Sequence, residues 1–136
     1  DPFERYLSSF IFYQVWSGLR DKQERPITKK AFHKFTDQEL HKTNNVLFRP
    51  QSDYFHFKGK RIGRPLMFND WTNEASRMIT EIGFRPLAVY PKFKELGQAH
   101  NRFPNGSPKV EDWITPYPDI VKLITDHFID DIEFIK

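Results

Sequence analysis

Four cations lie within seven residues of this sequence, with two glycines between them. The cations are Lys58, Lys60, Arg61 and Arg64, and the glycines are Gly59 and Gly63. Lysine and arginine neutralise phosphates and release the counterions condensed on nucleic acid, while glycine allows close backbone approach. Cations also keep an exposed hairpin from pairing with another chain. The stretch therefore predicts either a phosphate-binding loop or a solvated, charged turn.

A second polar group follows Thr28, which is placed to cap a helix carrying Phe32 and Phe35 inward. Thr36 and Glu39 match a capping box, which predicts a second helix over residues 37–45. A single kinked helix is the alternative. The outward side chains are Lys29, Lys30, Lys34, Gln38, His41, Lys42, Asn44 and Asn45. Asparagine and glutamine suit adenine, and lysine suits guanine or the backbone, so this group is a candidate nucleic-acid surface.

Two β-prone runs follow these helices, at residues 46–49 and 54–57, with a turn between them and a returning strand at 66–68. In outline, this helix–helix–hairpin order resembles winged-helix architecture. The resemblance implies that residues 37–45 form a recognition helix and that residues 58–64 form the tip of a wing along the phosphate backbone. No single motif in the chain identifies a particular family.

Acidic side chains and one imidazole are concentrated near the end of the sequence: Asp126, His127, Asp130, Asp131 and Glu133. Folded inward, they would hold a divalent cation of the kind that nucleases use. An exposed acidic face opposite Ile124, Phe128 and Ile132 explains the same residues, and we favour it. There is no cysteine, and the other histidines show no metal-ligand spacing. We therefore assign no catalytic residue, metal ligand or cofactor, and an enzyme is not favoured.

The length of 136 residues fits a single domain, and 14 phenylalanines indicate a core built from aromatic rings. We predict an α+β fold, mainly helical, with a small antiparallel sheet or hairpin. Its parts would be a helical N-terminal part (1–47), a hairpin (46–68), a central helix (70–82), an irregular loop (98–108) and an acidic C-terminal helix (118–134).

The first helix places Phe3, Tyr6 and Phe10 at helical spacing between residue 3 and about residue 20. Tyr13 and Trp16 would suit a partner surface, but aromatic stripes usually pack inside, so we expect both in the core. The central helix carries a second apolar stripe and is followed by Gly83, which fits the position just after a helix end.

Charge is distributed unevenly along the chain. Residues 1–109 carry 19 Lys/Arg against 11 Asp/Glu, a net +8, whereas residues 110–136 carry 2 against 7, a net −5. A basic body favours a polyanionic partner, so the leading hypothesis is nucleic-acid binding, with duplex DNA favoured over RNA. The alternatives are a metal-dependent nuclease and a protein-interaction or assembly module of a larger protein. The module would use the N-terminal aromatic helix or the acidic C-terminal helix.

The densest apolar run, residues 6–16, is too short to span a bilayer. We therefore expect no membrane partner and an intracellular protein, in the cytoplasm or the nucleus.

Overall fold

The computed structural model describes residues 1–63, 70–85 and 106–135, without the side chain of Trp71. Its helices are α1 (Pro2–Asp21), α2 (Lys29–Gln38), α3 (Trp71–Glu81), α4 (Val110–Trp113), α5 (Pro118–His127) and α6 (Ile129–Ile135). Two short 3₁₀ helices, Val46–Phe48 and Gln51–Phe55, precede the strands β1 (His56–Phe57) and β2 (Lys60–Arg61). The described part is mostly helical with one small antiparallel sheet, so the α+β prediction is confirmed. The Arg64 position, the returning strand at 66–68 and most of the loop 98–108 lie outside the described residues.

Helix α1 has strong signals at both ends. The Asp1 carboxylate accepts a hydrogen bond from the Phe3 amide at 2.7 Å, and Pro2 occupies the first turn. The helix ends at Lys22, which adopts a left-handed conformation with φ 53°. A Cβ on Gly18 would lie 2.8 Å from the Gln23 carbonyl oxygen, so only glycine lets the following loop return so closely over α1.

The core is a cluster of aromatic rings around Tyr6, as the composition predicts. The Tyr6 ring centroid lies 5.2 Å from that of Phe32, 5.9 Å from that of Phe48 and 5.7 Å from that of Phe128. These rings belong to α1, α2, the first 3₁₀ helix and the end of α5, so one side chain joins four parts of the chain. All four are essentially inaccessible to solvent.

The Tyr6 hydroxyl is buried in this core and lies 2.8 Å from the Thr36 hydroxyl. Thr36 in turn donates to the Phe32 carbonyl at 2.8 Å, so its single proton is used and Tyr6 must be the donor to Thr36. This role differs from the sequence prediction, in which Thr36 caps a second helix. Burial of the hydroxyl raises the pKa of Tyr6 above its ordinary value.

Because the pKa of Tyr6 is raised in the folded state, the unfolded chain loses this proton first as the pH rises. The free energy of unfolding should then fall above about pH 10, by about 1.4 kcal/mol per pH unit for this one proton. Tyr6→Phe should lower stability near neutral pH by about 0.5–1.5 kcal/mol, the value of one hydrogen bond, and remove this alkaline decline. Urea unfolding at a series of pH values measures both. If the free energy of unfolding of the unmodified and Tyr6→Phe proteins fell equally with rising pH, the assignment of a raised pKa to Tyr6 would be contradicted.

A partly buried ion pair connects α1 to α6. The Arg5 guanidinium lies 3.0 Å from one carboxylate oxygen of Asp131, which is 6% exposed. The second Asp131 oxygen accepts the Ser52 amide proton at 2.7 Å. Arg5 also lies 4.9 Å above the Phe128 ring. Asp131 therefore holds α1, the second 3₁₀ helix and α6 together, whereas the sequence predicts an exposed acidic residue; that expectation is wrong.

Two further element predictions need correction. Residues 39–42 form turns after α2 and residues 43–45 are irregular, instead of the predicted helix over 37–45, because Lys42 and Thr43 both donate to the Glu39 carbonyl and no continuous helical ladder follows. Val46–Phe48 is a 3₁₀ helix instead of a strand. The acidic helix predicted over 118–134 is helical but breaks at Phe128, where φ is −109° and ψ is 25°.

The central helix α3 confirms its predicted ending. Gly83 has φ 88°, its amide donates to the Thr80 carbonyl, and the Phe84 amide donates to the Ile79 carbonyl. This pair of bonds is a Schellman motif, which needs a left-handed residue at the glycine. Within the described residues, α3 contributes no side chain to the aromatic core.

Candidate nucleic-acid interface

The basic stretch forms a tight β-hairpin whose two-residue turn is Lys58-Gly59. His56 pairs with Arg61 and Phe57 pairs with Lys60. Lys58 has φ 50° and Gly59 has φ 72°, so both turn residues are left-handed, as a type I′ turn requires. The chain therefore reverses inside the basic stretch, and the tip is shorter than the predicted loop over 58–64.

The hairpin is fixed to the domain through the Phe134 ring on α6. The Phe55 ring stacks on Phe134 with centroids 5.1 Å apart, and the Arg61 guanidinium lies 4.3 Å from the centroid of Phe134. At its base, the His56 ring donates to the Ser52 carbonyl at 2.9 Å. The Ser52 amide donates to the Asp131 carboxylate, so the hairpin is linked to the same carboxylate that binds Arg5 of α1. These contacts limit the directions in which the tip can point.

Lys58, Lys60 and Arg61 are exposed. Among the described residues, no acidic side chain forms an ion pair with any of them. Lys58 lies 5.5 Å above the Phe57 ring, and the Arg61 Nε donates to the Gly63 carbonyl at 2.8 Å. The nearby Asp131 charge is already compensated by Arg5. The hairpin thus presents three exposed cations. The side chains of Lys58 and Lys60 form no hydrogen bond among the described residues, whereas that of Arg61 also contacts Phe134 and the Gly63 carbonyl.

The lysines of α2 have different environments. Lys29 is engaged by Tyr117: its Nζ lies 3.2 Å from the phenol oxygen and 5.4 Å from the ring centroid. Lys30 and Lys34 are exposed. His33 donates to the Trp113 carbonyl at 2.7 Å and so attaches α2 to α4. Lys30 and Lys34 therefore remain candidates for phosphate contact, whereas Lys29 has a structural partner.

The polar residues proposed for a recognition helix lie at the end of α2 and in the turns that follow. Gln38, His41, Lys42 and Asn44 are exposed there. Asn45 instead uses its side-chain oxygen to accept the Leu47 amide proton at 3.0 Å and caps the first 3₁₀ helix. Without a helix at 39–45, the described residues contain no recognition helix beside the hairpin, and the winged-helix arrangement is not reproduced there.

The two basic groups are attached to different ends of the C-terminal helices. Lys29 contacts Tyr117, the residue just before α5, whereas Arg61 contacts Phe134, near the end of α6. Within the described part of the chain, no hydrogen bond, ion pair or ring contact joins α2 to the hairpin. No contact among the described residues therefore connects the two groups, and the hairpin is the better defined of the two.

The acidic group near the C-terminus does not converge. Asp126 pairs with Lys122, His127 donates to the Phe48 carbonyl at 2.8 Å, and Asp131 is bound to Arg5. Across residues 1–63, 70–85 and 106–135, no group of three or more potential metal-ligating side chains comes together. The geometry offers the nuclease hypothesis no support in this region.

An exposed apolar row lies on α1, the helix that the interaction-module alternative would use, but sequence reasoning did not identify these residues as exposed. Phe12, Trp16 and Leu19 are 54%, 61% and 63% exposed. Trp16 was expected in the core, and this is wrong; Tyr13 does pack inside, against Phe35 and Phe48. An open groove of about 970 Å³ adjoins Leu19 and is lined also by Gln14, Lys22 and Arg25. The spacing of Phe12 and Trp16 away from the Tyr6–Phe10 stripe was the available signal.

No helix in the described ranges is both long and apolar enough to cross a membrane. Comparison of the chain with protein-family models, curated proteins and solved structures gave no match.

Proposed function

We propose that this domain binds nucleic acid, with duplex DNA as the preferred form, mainly through phosphate contacts from the hairpin. The observation that carries the proposal is the type I′ turn presenting Lys58, Lys60 and Arg61 without acidic partners among the described residues. Phosphates provide most of the affinity of such surfaces and little sequence preference. Lys30, Lys34 and Lys42, in the separate basic group on and after α2, would add further phosphate contacts. The side chains of Gln38, His41 and Asn44 would reach bases only from the end of α2 and the residues that follow it.

Replacing the three hairpin cations tests the proposal. In Lys58→Gln/Lys60→Gln/Arg61→Gln, the slope of log K against log salt concentration should become shallower by about 2 to 3, since each phosphate contact contributes about 0.9. Fluorescence anisotropy with a labelled duplex and a single strand of the same length, over a range of salt concentrations, measures the slope and the preference for duplex. Stronger binding to the single strand would contradict the duplex preference.

A matched control removes the same charge elsewhere. Arg77, Lys109 and Lys122 are exposed and lie on or beside α3, α4 and α5. The triple glutamine variant at these positions should keep a slope close to that of the unmodified protein. If both triple variants lose affinity equally, binding follows net charge alone and the hairpin is not the interface.

A protein-interaction or assembly role is a second candidate, favoured by the row of Phe12, Trp16 and Leu19. Exposed apolar patches on a folded domain often mark interaction sites. The apolar face of α5 is occupied by the core of this chain through Ile120, Ile124 and Phe128, so α1 is the better candidate surface. Such a role requires that Phe12 and Trp16 be dispensable for folding.

A further inference from the structure

The exposed face of α1 has an unusual order of residue types. Positions four residues apart are all exposed and run from acidic to small, aromatic, aromatic and basic: Glu4, Ser8, Phe12, Trp16 and Arg20. The Phe12 and Trp16 rings stack with an interplanar angle of 6° and a centroid distance of 6.2 Å. Residues at this spacing form one ridge along a helix surface.

This ridge is complementary to itself. A two-fold axis through Phe12 relates the positions four and eight residues before it to those four and eight residues after it. Two copies of α1 crossing at Phe12 would therefore place Trp16 of one copy over Ser8 of the other, a large side chain against a small one. The same axis brings Glu4 of one copy towards Arg20 of the other, twice per dimer. An isologous interface requires this kind of self-complementarity.

We infer that the partner of this face is a second copy of the chain, bound through crossed α1 helices with Phe12 at the centre. The inference rests on the interaction role proposed for α1 and is independent of nucleic-acid binding. Parallel alignment of two such ridges across the contact corresponds to a crossing angle of about −50°. One ridge per partner buries less than the roughly 800 Å² typical of a stable interface, so the dimer should be weak and reversible.

Arg20 can make this contact although it already has a neighbour. Its Nε donates to the Asp21 carboxylate at 3.0 Å, and Asp21 also pairs with Arg25. These two hydrogen bonds lower the pKa of Asp21, so this carboxylate stays charged. A guanidinium has five N–H donors, and among the described residues only the Nε donor of Arg20 is used, which leaves the terminal nitrogens for Glu4 of the second copy.

A charge-reversal experiment tests the pairing directly. In Glu4→Arg, both contacts become Arg–Arg, and in Arg20→Glu, both become Glu–Glu, so each variant alone should dimerise at least about tenfold more weakly. When the two variants are mixed, every contact joins opposite charges again. The mixture should therefore recover dimerisation to within about threefold of the unmodified protein. Sedimentation velocity at low salt, over a hundredfold range of concentration, measures the dissociation constants.

Phe12→Gln/Trp16→Gln completes the experiment, with the melting temperature as a second measurement. This variant should be monomeric and should melt within a few degrees of the unmodified protein, because both side chains are exposed. Self-association through α1 is overturned if the unmodified protein stays monomeric. It is also overturned if neither charge reversal changes the dissociation constant of the dimer. A large fall in melting temperature would instead show that the two rings are needed for folding, and the interaction role itself would fail.

Discussion

Asp131→Ala should lower the free energy of unfolding by about 3 kcal/mol. The change removes the carboxylate partner of Arg5, which keeps only the Arg49 carbonyl at 3.3 Å, and leaves the buried Ser52 amide without its acceptor. Breaking a buried pair by removing one partner typically costs about 3–5 kcal/mol, and we expect the lower end because Arg5 is 22% exposed and remains partly hydrated. Since small domains are stable by only about 5–15 kcal/mol, this is a large fraction of the total. Urea unfolding followed by circular dichroism measures it.

The neighbouring Asp130 provides a matched control, because it lies on the same helix and is exposed. Asp130→Ala should change stability by no more than about 0.5 kcal/mol. Arg5→Met/Asp131→Leu should recover part of the loss, since it removes both charges and leaves only the buried Ser52 amide and the Arg49 carbonyl, on an exposed residue, without these partners. Equal destabilisation by Asp130→Ala and Asp131→Ala would show that the Arg5–Asp131 contact has no special role.

Phe32→Ala should have a comparable or larger effect, about 3–5 kcal/mol. The Phe32 ring is fully buried and lies within 5.8 Å, centroid to centroid, of Tyr6, Phe10 and Trp113. Its removal would leave a cavity where α1, α2 and α4 meet, and rings that are held by several neighbours cannot easily collapse into that space. Thermal unfolding should show a melting temperature lower by about 10 °C or more.

Phe12→Ala makes the same chemical change on a helix surface. Phe12 is 54% exposed, so this variant should stay within about 1 kcal/mol of the unmodified protein when measured at low protein concentration. A small effect of Phe32→Ala, similar to that of Phe12→Ala, would contradict the arrangement of the aromatic core.

Local signals in the sequence predicted several elements well. Thr28 caps α2 by accepting the Ala31 amide proton, and Gly83 ends α3 as its type and position indicate. The stripe of Tyr6 and Phe10 was correctly placed in the core. These features depend on residues within one or two helical turns of each other, and short-range geometry is what residue type and spacing encode.

Features that depend on distant residues could not be predicted in this way. Thr36 has the sequence pattern of a helix cap, but the Tyr6 hydroxyl, 30 positions away, makes it a buried core residue. In the sequence, Asp131 has the pattern of an acidic surface residue, and only the folded structure places Arg5 beside it. For the candidate site, a basic hairpin was predicted, but the predicted tip over 58–64 is longer than the observed turn. The point where the chain reverses is shown only by the left-handed backbone of Lys58 and Gly59. The prediction of a recognition helix is wrong because a capping-box match does not by itself establish a helix.

The Arg5–Asp131 contact also has a consequence for the order of folding. It joins residues separated by 126 positions, whereas α1 and α2 meet across a short loop. Closing a long loop is entropically unfavourable and tends to come late, after local contacts have formed. We therefore expect α1 and α2 to associate first and α6, with the hairpin resting on it, to dock in the final step. Contacts that are absent from the transition state act mainly on the unfolding rate. The Arg5–Asp131 pair would therefore slow unfolding and set the lifetime of the folded hairpin.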